Sequence, residues 1–349
     1  MTSVLSTLFA SFDPPYWVST LIKVLVISAV VPTTALILGM VFLFKVMSWM
    51  QSRLGPQEAG PRGTLQLLAD GVKFLQKEDI APDGADLRVF KIAPLVVLMS
   101  TLLLYVALPA SAHLVVSNID LGVYYVLAVS SLSVIGVLMA GWASASKYSL
   151  MGALRAAGQL IAYELPMVLA TIGVVIQAGT MSLNGIVEAQ ANGSIFGWTG
   201  IGFPYILTQF VGFAIFIAAV QAELTQPPFD MPVAESEIVS GYQVEYTGFR
   251  FLIFFLAEFA TAFVFAGIAS VLFLGGWAVP WLSTSSDWYY VLGPIVLFAK
   301  VMLVSFIIFW VRFTYPRLRE DQLQSFAWKF LIPLALVNIA ATAILKVVF

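Results

Sequence analysis

The chain has 349 residues, 60% of them hydrophobic and only 10% charged, where an ordinary soluble domain carries about 25% charged residues. With no Cys and one His it can ligate no iron–sulfur cluster, no zinc through Cys and His, and no haem through paired His, so carriers of those kinds must sit in other chains. Composition and a net charge of −2 exclude a soluble globule, a disordered chain, a nucleic-acid binder and a disulfide scaffold.

Apolar runs of about 20 residues cross a bilayer as helices, because the backbone must satisfy its own hydrogen bonds there. Eight such runs are read, at about 17–49, 92–112, 121–140, 159–179, 201–222, 251–277, 289–311 and 328–348. This predicts an all-α polytopic membrane protein with 1–349 as one membrane domain. The first run is too long for a perpendicular crossing, so it is expected to tilt or to extend beyond the membrane surface. No basic segment precedes it, and no cleavable signal peptide is read.

Lys and Arg set the orientation. Fourteen of the 17 lie in or beside the loops at about 50–91, 141–158, 223–250 and 312–328; only Lys23, Lys300 and Lys346 lie elsewhere. The alternate loops, 113–120, 180–200 and 278–288, hold none. The basic loops are therefore expected to be cytoplasmic, with both termini outside. No internal repeat is found, which argues against a transporter built from paired halves.

The first of these loops holds Gly55-Pro56 and Gly60-Pro61, a rigid non-helical elbow. From Thr64 to Lys77, Leu65, Leu68, Val72 and Leu75 recur at helical spacing, with Gln66, Asp70, Lys73 and Lys77 on the other faces. This predicts an amphipathic helix, lying on the membrane or packed against the bundle. Beside the elbow it could wall the mouth of a cavity for a lipid-soluble ligand. His113, at the outer end of the second run, reads as an interfacial polar residue. In the second loop, Gly141 to Ala145 and Gly152 to Ala157 are rich in small residues that let helices approach.

Glu164 is expected about one and a half turns inside the fourth run; Glu223 closes the fifth, Glu258 lies in the sixth and Lys300 in the seventh. Each charge at a bilayer centre costs about 2.5–3.5 kcal/mol on insertion scales, so it needs a partner, a hydrated cavity or neutralisation. One reading is a proton-accessible polar chain, since one lysine cannot neutralise three acids. The other is a structural pair between one acid and Lys300. In the third loop Pro227, Pro228 and Pro232 preclude a regular helix. Asp230, Glu235, Glu237 and Glu245 have only Arg250 as a local base, so they are expected to raise one another's pKa. A solvated acidic loop is the plainer alternative.

In order along the chain, Trp49-Met50-Gln51-Ser52-Arg53-Leu54-Gly55-Pro56, Leu68-Ala69-Asp70-Gly71-Val72-Lys73, Gly141-Trp142-Ala143-Ser144, Gly152-Ala153-Leu154-Arg155, Tyr163-Glu164, Pro228-Phe229-Asp230, Glu235-Ser236-Glu237, Glu245-Tyr246 and Tyr315-Pro316-Arg317 resemble the NuoH family, the quinone-cavity membrane subunit of respiratory complex I. The resemblance spans about residues 17 to 330. It implies a subunit of a proton-pumping NADH:quinone oxidoreductase in a bacterial cytoplasmic membrane, with no activity alone. Quinone is the implied substrate, and no metal, haem, flavin or iron–sulfur cluster is implied in this chain. The implied partners are the hydrophilic iron–sulfur and quinone-site subunits of the peripheral arm, small and antiporter-like membrane-arm subunits, and lipid. The resemblance puts Glu164, Glu223 and Glu258 on a proton-coupling path, with Asp230, Glu235 and Glu237 from the acidic loop and Glu245 and Lys300 as further candidates. Trp49, Met50, Arg53, Asp70, Lys73 and Phe229 fall in quinone-chamber or loop motifs.

Three departures stand out. The family usually carries Glu-Arg-Lys where this chain has Leu43-Phe44-Lys45, an Arg-bearing triplet where it has Leu224-Thr225-Gln226, and a Glu where it has Val233. A subunit of an energy-converting hydrogenase or ferredoxin-linked complex remains an alternative within the superfamily. A free-standing ion or solute transporter is the alternative outside it.

Overall fold

The computed structural model describes residues 16–112, 114–193, 202–279 and 288–348. His113 lies outside them, as do parts of the loops 180–200 and 278–288. All regular secondary structure among the described residues is helical.

Helix α1 runs Tyr16–Leu38, widens into a π-helix over Gly39–Val46 and closes as an α turn over Met47–Met50. This continuous rod accounts for the overlong first run. The surface helix α2 (Gln66–Gln76) follows, then α3 (Leu87–Ala107), α4 (Gly122–Ser130), α5 (Leu132–Ala143), α6 (Lys147–Ala178) and the short α7 (Leu183–Ala191). Next come α8 (Phe210–Glu223), the single turn α9 (Glu235–Ile238), α10 (Gly248–Phe273) and α11 (Tyr289–Thr314). Finally α12 (Glu320–Phe326) passes through a π stretch, Ala327–Leu331, into α13 (Ile332–Val348). Seven helical spans are long and apolar enough to cross a membrane, which makes the chain an all-α polytopic membrane protein.

The eighth expected run, 201–222, is different. Its helix, α8, has only 14 residues, about 21 Å against about 30 Å of hydrocarbon. Gly202 at φ +77° and Pro204 keep the approach extended, before a 3-10 turn over Tyr205–Leu207. Non-helical backbone survives at membrane depth only where protein covers it. Here buried Gln190 covers it: its Oε1 accepts from Tyr205 N at 3.1 Å and its backbone carbonyl from Phe203 N at 2.7 Å.

Two expected loops are shorter than read. Only three residues separate α5 from α6, so most of 141–158 is helix, and only 315–319 separate α11 from α12. The small residues of 141–158 serve packing. A Cβ on Gly152 would lie 2.6 Å from Gly241 Cα, so α6 meets the 241–243 turn backbone to backbone. Because α6 begins at Lys147, Glu164 sits near the middle of a 32-residue helix rather than close to its end.

Successive spans alternate in direction. Residues 51–86, 224–247 and 315–319 gather at one face, called here the loop face; the turns after α3, α6 and α10 gather at the far face. Two of the three lysines that escape the basic asymmetry sit at helix C-termini near the far face. Lys300 Nζ donates to the carbonyls of Gly276 (2.7 Å) and Ala278 (3.3 Å), just beyond α10. Lys346 Nζ donates to those of Ile176 and Gln177 at the end of α6. A cation there satisfies orphan carbonyls and complements the helix dipole.

Candidate functional site

The loop-side half of the bundle collects the acids in two pairs. Glu164, in mid-α6, and Glu223, the buried last residue of α8, lie within electrostatic reach of each other. Glu164 Oε1 and Glu223 Oε2 are buried with no hydrogen-bond partner in the chain. Glu258, on the loop-side part of α10, accepts from Arg312 Nη1 of α11 and from Gln226 Nε2, each at 3.5 Å. Asp230 faces this second group from the proline-rich turn. Burial and the Glu258 charge push its carboxyl up to about 6, against the opposing pull of Arg312 and Arg317.

That turn is held by side chains from its surroundings. Gln159 Nε2 of α6 donates to the carbonyls of Ala222 (2.7 Å) and Phe229 (2.8 Å). Gln221 Nε2 donates to Pro227 O (2.7 Å), and Leu318 N to Pro228 O (3.0 Å). Phe229, expected on the quinone side, is instead 4% exposed, packed between the rings of Tyr163 and Phe326 at 5.1 and 6.4 Å. Its ring plugs the turn into the core.

The expectation that Arg250 is the acidic loop's only base also fails, because bases arrive from elements distant in sequence. Glu237 accepts from Arg155 Nη1 of α6 at 2.7 Å and from Arg317 Nη2. These contacts, the Arg155 bond first, hold its carboxyl below the usual range. Arg250 pairs with Asp79 at 2.9 Å and lies over the Phe90 ring. Glu235 is exposed and Glu245 half-buried; neither forms an ion pair among the described residues. Lys300 is not brought to the acids. It lies in the far half, bound to carbonyls alone, which removes the structural acid–Lys300 pair. Gln159, Arg155, Arg312 and Arg317 were missed as site residues. The one available signal was Gln159, a polar residue within an apolar run.

At the other edge of the loop face, Lys45 Nζ of the π stretch donates to the carbonyls of Pro56 (2.8 Å) and Arg62 (2.6 Å). It thereby folds the Gly-Pro elbow back on α1. Trp49, Met50 and Arg53 are exposed at this corner. The expected amphipathic helix is α2. It buries Leu67 and leaves Leu65, Leu68, Val72 and Leu75 about half exposed. On its polar side Asp70 accepts from Gln66 (3.1 Å) and pairs with Lys73 (3.5 Å). The two best-formed cavities among the described residues lie toward the far face, around Val123, Met167 and Phe216 and around Asn118 and Asn184. Neither touches an expected quinone residue, so a headgroup chamber at this corner needs walls from outside the chain.

Comparison with known proteins decides the kinship. Residues 22–343 match the family described as NADH dehydrogenase. The chain belongs to this family. Among its relatives, the H-type subunit of NADH-quinone oxidoreductase from Brevibacillus brevis is 44% identical over 335 residues, covering 95% of each chain. The protein of the same name from Dehalococcoides mccartyi is 42% identical over 94% of this chain and 87% of its own. That of Rhodospirillum rubrum is 44% identical over 87% of both. Family membership accounts for an all-helical membrane chain without a cysteine, since it is one subunit of an oxidoreductase assembly.

Proposed function

We propose that this chain is the membrane subunit of a proton-pumping NADH:quinone oxidoreductase that borders the quinone chamber and carries an acidic proton-coupling path. It has no redox chemistry of its own. What carries the reading, beside the relatives named as subunits of NADH-quinone oxidoreductase, is the pair Glu164–Glu223, buried acids with unpartnered oxygens and no basic partner. A carboxyl group so placed is stable when it can hold a proton or reach water.

The exposed apolar side of α2 and the elbow at Trp49, Met50 and Arg53 suit a portal for a prenylated quinone arriving from lipid. Asp70 and Lys73 would offer polar contacts beside it. The walls that the chain lacks would come from peripheral-arm subunits, which also hold the terminal iron–sulfur cluster. Quinone reduction takes up protons, and the charge it creates raises the proton affinity of nearby carboxylates. Glu164, Glu223, Glu258 and Asp230 would then pass protons toward antiporter-like subunits of the membrane arm. Glu237 serves the loop's geometry, with Glu235 and Glu245 as its solvent-facing acids.

The decisive test is Glu164→Gln and Glu258→Gln in the assembled complex. Both amides keep shape but carry no proton, so quinone-dependent pumping should fall at least tenfold. Parental rate and stoichiometry in both variants would reject the coupling role. The Lys and Arg asymmetry further places the loop face in the bacterial cytoplasm and both termini outside. Since the chain has no native thiol, single cysteines at exposed Gly84 and Glu188 should react with an impermeant reagent from opposite sides. Labelling from one side only would refute the orientation.

A further inference from the structure

Three glutamines stand between the two acid pairs. Gln159 on α6, Gln221 in the last turn of α8 and Gln226 in the turn that follows are each 1% exposed. Each amide nitrogen is tied to a group that accepts. Gln159 Nε2 serves the Ala222 and Phe229 carbonyls, Gln221 Nε2 the Pro227 carbonyl, and Gln226 Nε2 the Glu258 carboxylate. A carbonyl or carboxylate oxygen cannot donate, so these contacts fix which end of each amide is nitrogen. All three Oε1 atoms are therefore turned elsewhere, buried and without a partner in the chain. Glu164 Oε1 and Glu223 Oε2 share that condition.

A packed core does not tolerate such a group of acceptors, since each orphan costs about 1–3 kcal/mol. The nearby guanidinium of Arg312 is engaged with Glu258. If Glu164 and Glu223 were both protonated, their two protons would still leave one amide oxygen unserved. Water supplies two donors per molecule and is the ordinary occupant of a buried polar site.

We propose that Gln159, Gln221 and Gln226 hold a short file of ordered water that joins Glu164–Glu223 to Glu258–Asp230. The inference rests on the coupling role proposed above and adds the bridge between the pairs. A proton leaves an acid of one pair for the nearest water. That water releases a proton to the next, and the last water protonates an acid of the other pair, so one proton enters the file and one leaves. The amide oxygens accept hydrogen bonds from the water and never take the proton. They are positioning residues. An amide suits the place because it orients water without trapping the proton, as a carboxylate would, or repelling it, as a guanidinium would.

Two measurements on the assembled complex test this. A cryo-electron-microscopy map that resolves water should show density within hydrogen-bond distance of Gln159 Oε1 and Gln221 Oε1, continuing to Glu223. Close-packed apolar atoms or a partner subunit's donor on those oxygens would overturn the proposal. In kinetics, Gln159→Met and Gln221→Met should lower protons pumped per quinone reduced at least threefold and enlarge the solvent isotope effect. Gln221→Glu, which still binds water, should restore much of the stoichiometry. If both Met variants pump at parental stoichiometry while Glu164→Gln does not, the water file is wrong and the coupling role stands. If Glu164→Gln and Glu258→Gln also pump normally, the coupling role falls and the file with it. Should a Met variant fail to assemble, the map of the parent complex decides.

Discussion

Gln190 and Gln159 are each 1% exposed, each on a helix, and each donates through Nε2 to backbone carbonyls of another element. Only Gln190 has its own oxygen served, by Tyr205 N. The contrast extends through the two halves of the bundle. Toward the far face, Asn338, Gln209 and Thr342 form a closed chain of hydrogen bonds linking α13 to the start of α8, at 2.8 and 2.6 Å. Trp277 Nε1 finds Asn184 Oδ1 at 3.0 Å, and Lys300 finds two carbonyls. On the loop side, Gln159, Gln221, Gln226, Glu164 and Glu223 all keep an unserved buried oxygen. Polar groups with every bond made act as glue between membrane helices. Groups left open at depth are the expensive ones, and expense of that kind marks a working site.

The largest effect expected from this contrast is at Gln190. Gln190→Leu strips Tyr205 N of its acceptor and the Val271 and Leu272 carbonyls of a donor, under the non-helical entry to α8. At about 1–3 kcal/mol per orphaned group, the loss should exceed about 3 kcal/mol. It should appear as a much lower melting temperature or as failure to assemble. Gln159→Leu also deprives two carbonyls, but it removes an orphaned oxygen at the same time. Its cost should be smaller by about 1–2 kcal/mol. Equal costs would break the contrast between the halves.

Asp230 sharpens the comparison through pH. Its folded pKa, about 6, lies above the usual 3.8. A raised carboxyl gives stability that is fully present below about 3.8 and lost as pH climbs through about 6. Asp230→Asn has no such loss. The variant should therefore gain in melting temperature relative to the parent between pH 4 and pH 7, then run parallel to it. A difference that stays flat across this range would mean that Asp230 does not feel Glu258.

The helices were legible because hydrophobic length is a local property. The amphipathic character of α2 and the proline-broken turn were legible for the same reason, since periodicity and missing donors act within a few residues. The shortness of α8 was not, because its extended entry is tolerated only through Gln190, which lies on another helix. The acids were readable as costly residues at depth, yet their partners were not. Arg155, Arg312 and Arg317 counted toward orientation in the sequence, and only folding turns them toward Glu237 and Glu258. Lys300 was misplaced because an isolated lysine in an apolar run carries no sign of whether an acid or a helix end will meet it.

The smallest effect is expected at Glu237, and its smallness separates clamping from coupling. The carboxyl bridges Arg155 of α6 and Arg317 before α12, tying the turn α9 to two distant elements. All three side chains are partly exposed, at 45% for Glu237, 27% for Arg155 and 25% for Arg317. Exposed ion pairs contribute about 0–1 kcal/mol and weaken with salt. Glu237→Gln keeps an acceptor for one arginine, so its cost should stay below about 1 kcal/mol at neutral pH. Because the Glu237 carboxyl is held below its usual 4.5, the stability it gives is present above that value and fades as pH falls through the lowered one. Parent and variant should therefore converge in acid and in high salt, with pumping stoichiometry unchanged. A Glu237→Gln complex that assembles and melts normally but loses pumping would place Glu237 with Glu164 and Glu258 on the proton path, and the boundary drawn between the two kinds of acid would have to move.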